Sequence, residues 1–309
     1  MKELVIVSGP TAAGKSSAAL ELALMMGGEI ISADSMQVYR GMDIGTAKLK
    51  REEMKGIPHH MIDILDPGED FNVAVFKEKA DDLIGQIRDR GRVPIMTGGT
   101  GFYIRAVLYG AGFNEGETDE GVRLRLEETA KEKGISFLED RLKTEDPVSF
   151  EKYRGNLKRI VRALEYKELT GERLSEKNSR ELAERPAYDA IHFCLTLPRD
   201  VLYERINLRV DRMMEEGLLE EVRQLKDLDL PKNATALQAL GYKQLFDCLD
   251  GKVSLEDAVK RIKTETRHFA KRQFTWFKAQ RDVVFLDRSS FKSDAEAAER
   301  MKEIIDESC

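Results

Sequence analysis

The sequence predicts an α/β fold, in which a parallel sheet flanked by helices is interrupted by an all-helical insertion. Over about the first hundred residues, short apolar runs alternate with segments of helical spacing, which is typical of a parallel sheet. Between residues 120 and 182 the periodic segments all have helical spacing, and a strand-like run returns only at residues 190–196. We therefore expect a discontinuous core of residues 1–114 and 188–309, with a helical domain at residues 115–187.

The individual elements follow from the same patterns. Apolar runs predict strands at residues 4–7, 29–33, 60–64, 92–96, 190–196 and 283–286. Helical spacing predicts helices at residues 17–24, 76–88, 102–108, 122–133, 137–143 and 157–169, and more helices between the last two strands. Residues 110–118 are rich in glycine and acids and are expected to form a linker.

A phosphate-binding loop follows the first predicted strand. The eight residues match the pattern G-x-x-x-x-G-K-[ST] in full: Gly9, Pro10, Thr11, Ala12, Ala13, Gly14, Lys15 and Ser16. A strand enters the loop and a helix leaves it, as the motif requires. The backbone N–H groups, the helix N-terminus and the lysine attract an anion. We expect these residues to bind a di- or triphosphate, and the Ser16 hydroxyl to hold Mg²⁺.

An acidic residue, Asp34, ends the next strand. The strand at residues 92–96 runs into a Thr-Gly-Gly-Thr turn instead, without the acid that an ATPase carries there. Strand ends at the carboxyl edge of a parallel sheet line the ligand crevice. A carboxylate beside a phosphate loop suits proton abstraction from a nucleophile. Capping of a loop or support of a bound Mg²⁺ are the alternatives.

Composition indicates a globular protein, with 41% hydrophobic and 34% charged residues. No apolar run approaches the ~20 residues that span a bilayer, and no signal-peptide pattern is present. We expect a cytoplasmic protein without a membrane partner. Cys194, Cys248 and Cys309 form neither a disulfide framework nor a metal cluster. The adjacent His59 and His60 lack further ligands at metal-binding spacing, so a structural role is expected.

The charge distribution leaves a nucleic-acid partner open. The net charge of −6 argues weakly against one. Two basic runs nevertheless occur, comprising Lys152, Arg154, Lys158, Arg159 and Arg162, and then Lys260, Arg261, Lys263, Arg267, Lys271, Arg272, Lys278 and Arg281. Such runs form either an RNA-binding surface or solvated helix faces.

Longer runs closely resemble the signature of the tRNA dimethylallyltransferases. They are residues 32–48 (SADSMQVYRGMDIGTAK), 58–63 (PHHMID), 98–103 (GGTGFY), 159–165 (RIVRALE), 170–171 (TG), 240–244 (LGYKQ) and 266–277 (TRHFAKRQFTWF). Together with the phosphate loop they extend in order from Gly9 to Phe277. The chain length and the lack of a C-terminal zinc finger resemble the bacterial branch.

The resemblance implies a reaction and a set of residues. Such enzymes use Mg²⁺ and transfer a dimethylallyl group from its diphosphate to N6 of adenosine 37, beside the tRNA anticodon. The resemblance implies that Lys15, Asp34 and Thr100 are catalytic, and that Gln37 reads the adenine edge with Ser35 and Met36 beside it. Arg209, or Arg212 on the same segment, would reach the diphosphate. The tRNA contacts would be Arg123, Lys158, Arg159, Arg162, Lys271 and Arg272.

Because adenosine 37 lies inside the anticodon stem-loop, it must be flipped out to reach a phosphate loop. The aromatic residues Phe269, Phe274, Trp276 and Phe277 have helical spacing, which favours core packing over base stacking. Nothing in the sequence indicates a coiled coil or a dimer face, so we expect a monomer.

Three alternatives remain at this point. A kinase would share the loop and Mg²⁺, and the insertion would then be a lid that clamps a γ-phosphate. An isopentenyltransferase acting on free adenine nucleotides would lack much of the helical insertion. A non-catalytic RNA-binding protein would not need the intact Lys15, Ser16 and Asp34.

Overall fold

The structure, a computed structural model, describes residues 2–110, 118–183, 185–231 and 234–308. The strands in these ranges are β1 (Leu4–Ser8), β2 (Gly28–Ser32), β3 (His59–His60), β4 (Val93–Gly98), β5 (Ala190–Thr196) and β6 (Val283–Asp287). The α-helices are α1 (Lys15–Met26), α2 (Val73–Asp89), α3 (Gly101–Tyr109), α4 (Glu120–Lys133), α5 (Ile135–Glu145), α6 (Pro147–Tyr153), α7 (Leu157–Thr170), α8 (Leu174–Ala183), α9 (Arg199–Glu215), α10 (Leu218–Asp227), α11 (Tyr242–Leu249), α12 (Leu255–Lys278) and α13 (Asp294–Glu307).

The six strands form one parallel sheet in the order β3-β2-β4-β1-β5-β6. β1 lies inside it, between β4 and β5. Ser8, its last residue, pairs with Gly98 on one side and with Cys194 on the other. The carboxyl ends of these three strands therefore meet where the phosphate loop begins. The α/β prediction, with a sheet of the kind found in P-loop NTPases, is confirmed.

The sheet is held by apolar side chains on both faces. Every residue of β1 is buried, which explains why this strand is a continuous apolar run rather than an alternating one. Leu22 of α1 and Met301 of α13 belong to the same fully buried cluster as Val5, Ile95 and Phe193. Removing this apolar surface from water is the main favourable contribution to folding. The sequence did not predict α13, which packs along α1.

The chain divides into two compact units. One contains the residues up to 105 and those from 188 onwards, and the other contains residues 106–187. The second unit has its own core, in which Leu138, Leu142, Ile160 and Leu164 are fully buried. It begins within α3, whereas the sequence-based boundary falls at 114/115, within residues 111–117, which lie outside the described residues. The predicted linker at 110–118 falls largely on the same residues.

The predicted strand at residues 60–64 is mostly wrong. Only His59 and His60 pair with β2. Met61 and Asp63 have φ angles of +64° and +55°, and this left-handed conformation cannot continue a strand. In this irregular loop Met61 is buried, whereas Ile62 and Ile64 are only partly buried.

Among the described residues, no helix is long and apolar enough to span a bilayer. Cys194 and Cys248 are both free thiols, and Cys194 is buried. Cys309 lies outside the described residues.

Candidate active site

The phosphate loop turns sharply between β1 and α1. Gly9 has a φ of +147°, and a Cβ atom at this position would lie 2.4 Å from the carbonyl oxygen of Leu195 on β5. Only glycine fits there. Ala12 and Gly14 have left-handed φ angles of +64° and +86°, the conformation found in anion-binding nests of backbone N–H groups. The non-glycine residue in this conformation is a strained position of the kind that clusters at functional sites.

Lys15 begins α1, and its ammonium group lies inside the loop. Its Nζ donates a hydrogen bond to the carbonyl oxygen of Pro10 at 3.3 Å. The pKa of Lys15 is lowered to about 8, mainly by burial and also by the positive charge of Arg209, while the negative charge of Asp34 opposes both effects. The three charged groups are therefore close to one another. A bound polyanion would favour the charged form of Lys15.

Gln273 of α12 connects the phosphate loop with the turn after β4. Its Oε1 accepts a hydrogen bond from the backbone N–H of Thr11 at 2.9 Å, and its Nε2 donates to the carbonyl oxygen of Gly99 at 3.0 Å. The side chain is buried. The sequence analysis assigned no role to Gln273, although it lies within the run of residues 266–277 that carries the resemblance.

Asp34 follows β2 at the carboxyl edge of the sheet. Its Oδ1 accepts hydrogen bonds from the backbone N–H groups of Met36 at 2.9 Å and Gln37 at 3.4 Å. The structure thus gives Asp34 the loop-capping contact considered as an alternative, through one carboxylate oxygen. The second carboxylate oxygen can accept a proton, or a hydrogen bond from a metal-bound water.

The Gln37 amide is oriented from both ends. Its Oε1 accepts from the Ser32 hydroxyl at 2.9 Å, and its Nε2 donates to the carbonyl oxygen of Thr46 at 3.1 Å. Thr100 is placed nearby because its backbone N–H donates to the carbonyl oxygen of Ala33 at 3.2 Å. An amide has two N–H donors and two acceptor positions, so an adenine edge can still bind Gln37.

Two cavities meet at these residues. The smaller, of about 90 Å³, is lined by Lys15, Ser16 and Gln37. The larger, of about 420 Å³, is lined by Ser35, Met36, Thr100 and Arg272. Both cavities share Thr11, Asp34, Thr46, Arg209, Phe269 and Gln273 in their walls. The loop residues and the predicted acceptor-side residues therefore border one continuous site.

Among the arginines considered for the diphosphate, Arg209 faces this site and Arg212 is exposed. Burial lowers the pKa of Arg209, and the charge of Asp34 opposes this effect.

The aromatic residues of α12 are not all in the core. The sequence favoured core packing for Phe269, and this prediction is wrong. Its ring is 38% exposed and lines both cavities, with the Arg272 guanidinium 5.8 Å from the ring centroid. Phe277 is fully buried, as expected.

The basic residues of the helical unit fall into two groups, one paired with a buried carboxylate and the other exposed. Arg123 and Arg162 both bind the buried carboxylate of Glu165, at 3.1 Å and 3.3 Å. Lys158 and Arg159 are exposed near the start of α7, and the Arg159 guanidinium lies 5.7 Å from the Tyr153 ring centroid. In the other unit, Lys271 is exposed on α12.

The groups at this site that could bind a metal ion are oxygen donors. Within the described ranges, no three His, Cys, Asp or Glu side chains are grouped to hold an ion. The Ser16 hydroxyl and the Asp34 carboxylate line the same small cavity. His59 and His60 bind protein groups instead: His59 Nδ1 lies 2.8 Å from the carbonyl oxygen of Ile57, and His60 Nε2 lies 2.7 Å from Glu29 Oε2.

A phosphate loop at the carboxyl edge of a parallel sheet, with a carboxylate on the next strand, defines a phosphate-binding protein of the P-loop class. The family model described as IPP transferase matches residues 37–280, and a second model, isopentenyl transferase, matches residues 2–66. The chain belongs to the IPP transferase family.

Similar proteins carry consistent descriptions. The chain is 47% identical to a tRNA dimethylallyltransferase of Lachnoclostridium phytofermentans, over 99% of this chain and 98% of that protein. Among solved structures, the tRNA isopentenylpyrophosphate transferase of Bacillus halodurans has a TM-score of 0.74 at 42% identity, covering 98% of this chain and 95% of that one. A eukaryotic dimethylallyltransferase acting on tRNA has a TM-score of 0.82 at 30% identity, covering 96% and 77%. The resemblance noted in the sequence is confirmed.

Proposed function

We propose that this protein transfers a dimethylallyl group from dimethylallyl diphosphate to N6 of adenosine 37 in tRNA and releases diphosphate. The observation that carries the proposal is the meeting of Lys15, Arg209 and Asp34 at one site beside the phosphate loop, in a chain of the IPP transferase family. Two cations suit a diphosphate, and the carboxylate suits an amine that must lose a proton.

The diphosphate half of the reaction uses residues 9–16 together with Arg209. Breaking the bond from the allylic C1 to oxygen transfers the bonding electrons to the diphosphate, so negative charge grows on the leaving oxygen. Lys15, Arg209 and the backbone N–H groups of the loop are positioned before the reaction, and such prearranged donors stabilise developing charge. Burial lowers the pKa of Lys15, and a bound diphosphate would counteract this.

Mg²⁺ fits the donors that are present. Mg²⁺ prefers oxygen ligands and often uses one protein group together with substrate phosphates and waters. The Ser16 hydroxyl would bind it. When bound, the ion would neutralise charge on the diphosphate.

The acceptor half uses Asp34 as the base. The N6 lone pair is delocalised into the purine, so the amine is a poor nucleophile. As the bond from N6 to C1 forms, one N6 proton passes to the Asp34 carboxylate, and the C1–oxygen bond breaks with its electrons leaving on diphosphate. Gln37 would bind the adenine edge, because its amide offers a donor and an acceptor. Ser35, Met36 and Thr100 would surround the base in the larger cavity, whose volume suits a small-molecule ligand.

The tRNA would be held by cations at both units. Lys158 and Arg159 are exposed on α7, and Lys271 and Arg272 on α12. Arg123 and Arg162, which both bind Glu165, would add positive charge that attracts the RNA backbone. Residues 115–187 would serve as the tRNA-binding domain. A monomer, and a location in the cytoplasm where tRNA is used, remain predictions.

A transfer assay tests the proposal. Radiolabelled dimethylallyl diphosphate and Mg²⁺ would be incubated with tRNA carrying adenosine 37, with the same tRNA carrying guanosine 37, and with AMP. Label on the first acceptor alone is the expected result. Label on AMP would instead indicate an enzyme of free nucleotides. No transfer, with ATP consumed in the presence of a small acceptor, would indicate a kinase.

A further inference from the structure

The carboxylate of Glu221 on α10 accepts an unusual set of hydrogen bonds from one backbone turn. The N–H groups of Asp43 and Ile44 donate to Oε2 at 2.8 Å and 2.7 Å, and the N–H of Gly45 donates to Oε1 at 3.0 Å. These residues and Thr46 form what we call the 43–46 turn. A carboxylate that accepts several backbone N–H groups makes bonds stronger than those between neutral partners.

Tyr242 completes the arrangement. Its hydroxyl donates to the same Glu221 Oε1, and its ring is fully buried at the start of α11. A Cβ atom on Gly45 would lie 2.4 Å from this ring, so the turn can approach it only because residue 45 is glycine. Burial and the negative charge of Glu221 raise the pKa of Tyr242, which keeps the hydroxyl protonated as a donor.

The 43–46 turn leads directly to the predicted adenine contact. The carbonyl oxygen of Thr46 accepts from Gln37 Nε2 at 3.1 Å. Gly45 and Thr46 also line the larger cavity, together with residues of α9, α11 and α12. From the other side, the buried Lys48 Nζ donates to Asp43 Oδ1 at 2.8 Å and to the carbonyl oxygen of Tyr39 at 2.6 Å. The turn is therefore held from two directions.

We propose that Glu221 is a positioning residue for the acceptor base. By fixing the 43–46 turn against α10 and α11, it holds the carbonyl oxygen of Thr46 in place and so orients the Gln37 amide toward the adenine. This inference rests on the proposed function and adds a determinant of acceptor recognition that lies outside the loop and touches neither substrate. Among the described residues, neither the phosphate loop nor Arg209 forms a hydrogen bond with Glu221.

Glu221→Gln tests this inference because the amide keeps the size of the side chain but presents N–H donors to N–H donors. Glu220→Gln is the matched control, since Glu220 is its exposed neighbour and pairs with Arg223. We expect hydrogen exchange at the amides of residues 43–45 to accelerate at least about tenfold in Glu221→Gln. We expect KM for tRNA to rise about ten- to hundredfold, as for loss of charge-assisted bonds, while the affinity for dimethylallyl diphosphate stays within about twofold of wild type.

Exchange and KM values equal to those of Glu220→Gln would overturn the inference. So would an equal loss of diphosphate and tRNA binding, because that would be a general loss of structure. Should Glu221→Gln fail to fold, Tyr242→Phe gives the decision, since it removes one of the four bonds and should shift exchange and KM in the same direction by a smaller factor. A wild-type protein without any transfer would refute the proposed function, whereas failure of this inference would appear only in the variants.

Discussion

Replacing Gln273 by alanine removes two hydrogen bonds that connect the phosphate loop to the turn after β4. The buried carbonyl oxygen of Gly99 loses the Nε2 donor, and leaving such a group without a partner costs about 1–3 kcal/mol. The N–H of Thr11 loses Oε1 but lines a cavity that water can enter, so its loss costs about 0.5–1.5 kcal/mol. We expect Gln273→Ala to lower the free energy of unfolding by about 3 kcal/mol.

The same change should loosen the loop. Because Thr11 is one of the eight loop residues, we expect the affinity for dimethylallyl diphosphate to fall about tenfold, as for partial loss of one charge-assisted contact. Urea unfolding can be followed by the fluorescence of Trp276, the only tryptophan in the chain, which lies three residues further along α12. Calorimetric titration gives the affinity.

Gln280→Ala provides the matched control. Gln280 follows the same helix, and its Nε2 donates to the carbonyl oxygen of Trp276 at 3.0 Å, a local bond that involves no residue of the loop. Its loss should cost no more than about 1 kcal/mol and leave the affinity unchanged. Equal stability and equal diphosphate affinity in the two variants would refute the role assigned to Gln273.

Changes at Asp34, Lys15 and Lys271 separate chemistry, diphosphate binding and RNA binding. Asp34→Asn keeps an acceptor for the N–H of Met36 but cannot take a proton. Single-turnover transfer should therefore slow about 10²- to 10⁴-fold, while tRNA affinity stays within about threefold of wild type. An unchanged rate would exclude Asp34 as the base. Lys15 is charged below its pKa of about 8, and the charged form attracts the diphosphate. Affinity measured by calorimetry should therefore decline as pH rises from 7 to 9, by at most about tenfold per pH unit, and Lys15→Arg should remove this decline; a flat wild-type profile would contradict the assignment. Lys271→Gln should weaken tRNA binding more at low salt than at high salt and reduce the slope of log K against log salt by about 0.7–0.9. The control Lys302→Gln on α13 should leave the slope unchanged, and equal slopes in both variants would place Lys271 outside the RNA contact.

Local patterns predicted the parts of the molecule that depend on local sequence. The phosphate loop was recognisable because its glycines, lysine and serine are contiguous between a strand and a helix. The strands β1, β2, β4 and β5 were recognisable because strands buried on both faces are continuous apolar runs. The prediction of a strand at residues 60–64 was wrong because the positive φ angles of Met61 and Asp63 depend on surrounding contacts rather than on residue type.

Contacts between distant residues explain what the sequence did not reveal. Gln273 binds Thr11 across a separation of 262 residues, and Glu221 binds Asp43 across 178. Neither residue stands out among the charged and polar side chains of its helix. The choice between Arg209 and Arg212 likewise depended on which face of α9 borders the cavity. That face carries Arg209. The roles of these residues in catalysis and tRNA binding stay predictions until the variants are measured.

The position of β5 next to β1 sets the order in which the phosphate site can be completed. The loop's first glycine rests against the carbonyl oxygen of Leu195, and the third loop residue is held by Gln273. Both partners leave the ribosome after the whole helical unit has been made. A nascent chain therefore contains the complete eight-residue motif well before Leu195 and Gln273, which support it, have been made. The phosphate site can therefore take this form only after translation has passed Gln273.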